Sequence, residues 1–182
     1  MGQKQIGIVV KEQHEKIMKQ DKSDVMAECT IIDYNESMLT QMMQLFYDTV
    51  HEVCARDYNE KQLERWAPQQ PDLISWKQRL NNNYCKVAFV NQVLVGFAEL
   101  TDEWHVDTLY VHKDYQRKGI ANALFNALMQ LAYSQKQQLV TTEASITAKP
   151  FFESHGFTVT RTKTKLYNVK EFVNYEMQKQ LS

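Results

Sequence analysis

Six consecutive residues, Gln116-Arg117-Lys118-Gly119-Ile120-Ala121, have the types and the order to hold an anion. A strand-like alternation, Val106-Asp107-Thr108-Leu109-Tyr110-Val111, leads toward them through a polar turn beginning at His112. From Gly119 onward the apolar residues Ile120, Leu124, Ala127, Leu128 and Leu131 recur at helical spacing. The first turn of such a helix carries backbone N–H groups with no partner inside the helix, and Gly119 has no side chain to keep an anion from them. Arg117 and Lys118 add charge beside the positive end of the helix dipole, so a multiply charged group such as a pyrophosphate is the favoured guest. Taken residue by residue, the same turn also reads as a solvated loop with two surface cations. Two other phosphate loops are excluded by spacing. A dinucleotide fingerprint needs three glycines placed differently, and a Walker loop needs Gly-Lys followed by Ser or Thr.

The elements that must position this loop can be read from pattern. Residues 1–27 read as a polar extension, helical or partly disordered, ahead of one domain over residues 28–182. The β-branched run in residues 28–33 predicts a first strand. Asn35 can cap a helix carrying Met42, Leu45 or Phe46, Thr49, Val50 and Val53 on one stripe. Asn59 with Gln62 is close to a capping box, and its short helix, with Leu63 and Trp66, should stop before Pro68. Pro71 and Asp72 start a third helical piece with Leu73, Trp76 and Leu80 on one side. Residues 84–90 and 93–100 predict an antiparallel hairpin turning at Asn91-Gln92, and Gly96 marks a bulge or a close approach by a ligand. Beyond the helix that Gly119 opens, residues 138–144 should run parallel to residues 106–111. Thr147 can cap a further helix with Pro150 in its first turn and Gly156 just past its end, and residues 157–161 and 172–178 should close the fold as antiparallel strands.

Composition narrows the classes. A chain of 182 residues with 43% hydrophobic content suits a single compact domain. A net charge of -1 and an isoelectric point near 6.5 argue against a nucleic-acid partner, and Arg161, Lys163 and Lys165 read as a charged, protected edge strand. Cys29, Cys54 and Cys85 are odd in number and lack metal-ligand spacing, which predicts reduced thiols in a cytoplasmic protein and no metal. Apolar runs are too short for a leader peptide or a membrane span, so no membrane partner is expected.

The loop's pattern is Gln or Arg, two variable residues, Gly, one variable residue, then Gly or Ala, with Ala121 in the last place. In this it resembles the pyrophosphate loop of the GCN5-related N-acetyltransferase (GNAT) superfamily. The stretch from Ala144 to Phe157, and the segment around Tyr58, Gln62 and Trp66, resemble the bacterial YafP-like branch; the resemblance spans roughly residues 28–180. It implies an α/β fold (an α+β mixed sheet), the acyl-CoA N-acyltransferase fold, with the sheet splayed between its two parallel middle strands. It also implies acetyl-CoA as cosubstrate, no metal, and direct transfer of acetyl to a primary amine of a small molecule or peptide in a ternary complex. A monomer or homodimer is expected. The alternative is an acyl-CoA-binding regulatory module without catalysis.

The same resemblance implies residue roles. Backbone groups of Leu109, Tyr110 and Val111 would pair with pantetheine, Gln116, Arg117, Lys118, Gly119, Ile120 and Ala121 would hold the pyrophosphate, and Ser145, Phe151 and Phe152 would wall the cofactor. Ser145 stands where many members have Asn. Phe152 stands where the family usually has a Tyr acid, and a phenyl ring gives no proton, so no acid is assigned. An amine with a free pKa of ~10.4 needs a base, for which His105, Asp107 and Glu99 are candidates. His105 and Asp107 alternate to one face of their strand, though Asp107 reads equally as a strand hydrogen-bonding group and His105 as a rim residue. His51, Tyr58, Trp66 and Trp76 would line an aromatic acceptor pocket, and the two tryptophans taken singly also read as core.

Overall fold

The computed structural model describes residues 21–167 and 170–181. A short helix, α1 (Lys22–Ala27), is capped by the Asp21 carboxylate, which accepts the Ser23 and Asp24 N–H groups at 2.8 and 3.0 Å. Its Val25 is fully buried in the main core. The rest of the expected extension, residues 1–20, lies outside the described residues.

The expected mixed sheet forms from β1 (Cys29–Asp33), β2 (Tyr84–Val90), β3 (Val93–Leu100), β4 (His105–Val111), β5 (Leu139–Ser145), β6 (Thr158–Tyr167) and β7 (Lys170–Gln180). Strand order is β1-β2-β3-β4-β5-β7-β6, and β4-β5 is its parallel pair. Alternation along the strands sends side chains to two cores. On one face Ala88, Val95 and Ala98 meet Leu124, Phe125 and Leu128 of α5 (Ile120–Ser134). On the other, Val87, Leu94 and Phe97 meet Met42, Phe46 and Val50 of α2 (Leu39–Val53) together with Leu63 of α3 (Glu60–Trp66) and Leu80 of α4 (Leu73–Asn82). A sixth helix, α6 (Lys149–Ser154), follows β5. Among the described residues no helix is long and apolar enough to cross a membrane.

Several local expectations hold for the stated reasons. The Asn59/Gln62 capping box is formed in both directions, and Asp72 caps α4. Asn91 and Gln92 both take positive φ, 50° and 67°, which is what a tight hairpin turn of matching twist requires even without Gly.

Two details differ from the pattern reading, and at Gly96 one of two readings holds. Thr147 does not cap α6; its hydroxyl bonds Asp57, and Ser145 Oγ, three residues before Ala148, accepts the Ala148 N–H at 3.1 Å instead. Gly96 flanks a bulge, the first of its two readings, since Ala88 faces Gly96 while Phe89 faces Leu94 and Val95 is extra; a Cβ there would lie 2.9 Å from the Tyr110 carbonyl oxygen and 3.0 Å from Leu124. The closing strands are longer than expected, and Lys163 of the outer one pairs with Glu143 and Glu176.

Candidate active site

Although β4 and β5 have seven residues each, they pair at His105↔Thr141 and Val106↔Thr142 alone. From Asp107 onward they separate. The pairing of β3 with β4 explains the direction, since Glu99 faces Thr108 while Leu100 faces Val106. Asp107 is thus an extra residue, and such a bulge bends its strand. The facing edges of residues 107–111 and 143–145 are left without a partner strand between them, and a cleft of about 610 Å³ opens along them.

At the open end of this slot lies the basic loop. Arg117 and Gly119 take positive φ, 60° and 93°, on either side of Lys118. Gln116 Nε2 donates to the Val111 carbonyl at 2.6 Å and so ties the loop to the end of β4. Gly119 is the N-cap of α5 and offers no side-chain cap, so the N–H groups of the first turn have no side-chain acceptor there. Ile120 is wholly buried, which leaves its backbone alone to face an anion. A Cβ on Gly119 would lie 3.1 Å from Met26 Sδ and 3.3 Å from Lys22 Cε. The side where a side chain would go is thus filled by α1, and the glycine is fixed by its φ and by that helix.

The acid and base candidates separate in space. Asp107 lines the cleft; Glu99 and His105 do not. Glu99 is completely buried, accepting from Asn83 Nδ2 at 2.7 Å and Thr108 Oγ1 at 3.3 Å, with Arg79 Nη2 at 3.0 Å. Arg79 Nη1 lies 2.9 Å from Asp107 Oδ2, so one guanidinium joins both carboxylates, with its plane held over the Trp76 ring at 4.0 Å. His105 Nδ1 sits 2.8 Å from Thr141 Oγ1 at the closed end of the splay.

Burial pushes the Glu99 carboxyl above the ordinary carboxylate value, and Arg79 opposes that rise. A raised folded value favours the protonated fold, so this contribution is complete below the unfolded value of 4.5 and is lost as pH rises through the folded one. Glu99→Gln, which does not titrate, should therefore gain on the wild type as pH rises. The difference in melting temperature, variant minus wild type, is expected to become more positive from about pH 4 to 8, and thermal unfolding across that range measures it.

Of the four aromatic candidates for the acceptor side, two reach the cleft. Tyr58 and Trp66 line it, edge to face at 5.4 Å, with Trp66 Nε1 donating to Tyr110 Oη at 3.1 Å. His51 lies outside it, its Nε2 2.9 Å from the Ala67 carbonyl oxygen and its ring stacked on Tyr47. Trp76 packs on Phe46 and Phe97 behind the cleft. Leu109, Tyr110, Val111, Ser145, Phe151 and Phe152 all line the slot, with Phe152 wedged among Phe125, Phe151 and Phe157.

The chain and its fold both match known proteins. A family model described as an acetyltransferase (GNAT) domain matches residues 54–179. The N-acetyltransferase YafP of Escherichia coli K12, itself uncharacterized, is 32% identical over 147 residues, 81% of this chain and 93% of YafP. The chain belongs to the GNAT acetyltransferases. A solved GCN5-related N-acetyltransferase from Rhodopseudomonas palustris is 30% identical with a TM-score of 0.79, covering 84% of this chain and 95% of that one. PaiA N-acetyltransferase from Thermoplasma acidophilum, solved in complex with coenzyme A, shares the fold at 16% identity and a TM-score of 0.71, covering 84% and 99%.

Spacing alone does not mark several residues that line the cleft of this GNAT chain or hold its lining in place. Arg79 is the foremost; its place three residues after Trp76 put it on the same helical side, which was the available signal. Glu143 and Asn174 also line the cleft, joined by a 2.7 Å hydrogen bond from Asn174 Nδ2. Among the described residues no group of His, Cys, Asp or Glu is placed to hold a metal ion.

Proposed function

We propose that this GNAT chain moves the acetyl group of acetyl-CoA directly to a primary amine of a small molecule or peptide within one ternary complex. The observation that supports it most is the slot between β4 and β5, whose facing backbone edges suit an extended pantetheine arm leading from the loop at Arg117 to Ala121. The cosubstrate supplies an activated acyl carbon. The protein supplies the binding surface: loop N–H groups with Arg117 and Lys118 for the phosphates, residues 107–111 for the arm, and Phe151 and Phe152 as a wall.

Asp107 is the base in this reading, since it alone of the three candidates lines the cleft and Arg79 fixes its carboxylate. Tyr58 and Trp66 offer an aromatic surface, with Asp107 and Glu143 as acidic groups, so an amine with an apolar or aromatic body fits best. Cys54 also lines the cleft, but burial pushes its thiol up and keeps it protonated, which favours direct transfer over an acyl-cysteine route.

Calorimetry with coenzyme A and thiol release from acetyl-CoA with tyramine, spermidine and lysine as acceptors test the reading together. Binding with thiol release above the amine-free rate supports it. Binding with no release from any acceptor selects the regulatory module instead.

A further inference from the structure

We infer that Tyr58 is a catalytic residue of this chain, its hydroxyl giving the departing coenzyme A sulfur its proton at the splayed edge of β5. The inference rests on the acetyl-transfer reading and names a group that reading leaves open. Breaking a thioester releases a thiolate of pKa ~8.5, and a hydroxyl in the cleft that is itself protonated near neutrality can meet it.

The hydroxyls of the cleft can be taken in turn. Thr49 donates to the Val111 carbonyl at 3.2 Å, Thr108 to Glu99 at 3.3 Å, Thr142 to the Val106 carbonyl at 2.8 Å, and Thr147 to Asp57. Tyr110 lines the cleft from the other strand, but its Oη accepts from Trp66 Nε1 at 3.1 Å, its ring packs on Phe46 and Phe97, and burial pushes its phenol far up. Phe151 and Phe152 have no proton to give.

Tyr58 differs in what surrounds its oxygen. Its Oη accepts the Ile146 N–H at 3.0 Å and shares a hydrogen bond with the Ser145 side chain, while Ser145 Oγ accepts the Ala148 N–H at 3.1 Å. Burial raises the Tyr58 phenol and keeps it protonated near neutrality, whereas hydrogen bonds into Oη stabilise the phenolate left after donation. Counting on from His105↔Thr141, Ser145 stands opposite Leu109, so this hydroxyl pair sits midway along the separated strands and not at their mouth.

The step balances. As the amine nitrogen bonds to the acetyl carbon, one amine proton passes to Asp107. The carbon–sulfur bond breaks with its electron pair on sulfur, sulfur takes the Tyr58 proton, and water returns a proton to Tyr58 and removes one from Asp107. The products are an amide and a thiol.

Coenzyme A itself is the probe, and no acceptor is needed. The ultraviolet absorbance of the thiolate is followed against pH with coenzyme A bound to wild type, Tyr58→Phe and Ser145→Ala, with calorimetry confirming saturation. A donor touching sulfur makes the bound thiol more acidic, so Tyr58→Phe is expected to lower its acidity about tenfold, and Ser145→Ala to do so by a smaller factor. Turnover by Tyr58→Phe should fall about 10²-fold, mainly in kcat. An identical thiolate titration in saturated wild type and Tyr58→Phe overturns the role of Tyr58 and leaves the acetyl-transfer reading intact. Failure of coenzyme A to bind the wild type overturns both.

Discussion

Gly119→Val is expected to weaken coenzyme A binding by one to two orders of magnitude in calorimetry while the protein stays folded. Gly119 has φ 93°, a region that a β-branched residue enters at a cost of about 1–3 kcal/mol, and each 1.4 kcal/mol is tenfold in an equilibrium constant. The new Cβ would also stand 3.1 Å from Met26 Sδ. Valine therefore forces one of two changes. Either the loop resets and its N–H groups leave their common direction, or α1 is pushed away from the start of α5. Both act on the loop, and neither needs a clash with the phosphates. Gly119→Ala should show a smaller loss, because it carries the backbone strain with less bulk. A circular-dichroism melt keeps folding apart from binding. If folded Gly119→Val protein binds coenzyme A as the wild type does, this loop is not where the phosphates sit.

The part of the fold that this prediction uses was legible because it is local. Between Val106 and Leu131 the apolar period changes from that of a strand to that of a helix, and the change brackets the loop without any tertiary information. The hairpin at Asn91-Gln92 was legible for a similar reason, two apolar runs separated by a polar pair. Contacts made by the fold were not legible. Met26 and Gly119 are far apart in sequence, and no pattern in either segment announces that α1 fills the space beside the glycine. The splay came into view only through resemblance, since unpaired backbone leaves no mark on side-chain identity. The bulge at Asp107 was hidden as well, because plain alternation predicts one face for His105 and Asp107 and says nothing of an extra residue between Val106 and Thr108.

Helical phase explains the acceptor side. The apolar stripe of α2 was read correctly, yet His51 turns to Ala67 and Tyr47, away from the cleft that Thr49 and Val53 reach. Trp76 and Arg79 share a side of α4, but apolar spacing marks the tryptophan and passes over the arginine. In the fold their positions carry opposite weights. Trp76 supports from behind, and Arg79 extends past it to both carboxylates. A cation near two acids can be recognised from sequence only when its helix is known to cross their strands, and that is a matter of packing.

The same bridge bears on the base. Asp107→Asn is expected to lower kcat/KM near neutral pH by 10²–10⁴-fold, roughly 3 to 5 kcal/mol of barrier, once an accepted amine is in hand. Asparagine keeps the shape of the side chain and its place in the cleft but cannot take a proton. His105→Ala should have a small effect, because that ring rests on Thr141 outside the cleft. Glu99→Gln should fall between the two: Glu99 is sealed off from the cleft, but it shares Arg79 with Asp107, and its loss leaves that guanidinium to Asp107 alone. The pH profile separates base from bridge. With the base removed, rate depends on amine already deprotonated in solution, which rises tenfold per pH unit below a pKa of ~10.4, so higher pH should partly rescue Asp107→Asn. A lost bridge instead moves KM and shows no such rescue. A near-normal rate for Asp107→Asn at pH 7 would remove it as the base and pass the role to Glu143, the other carboxylate lining the cleft, which Asn174 and Lys163 already hold in place.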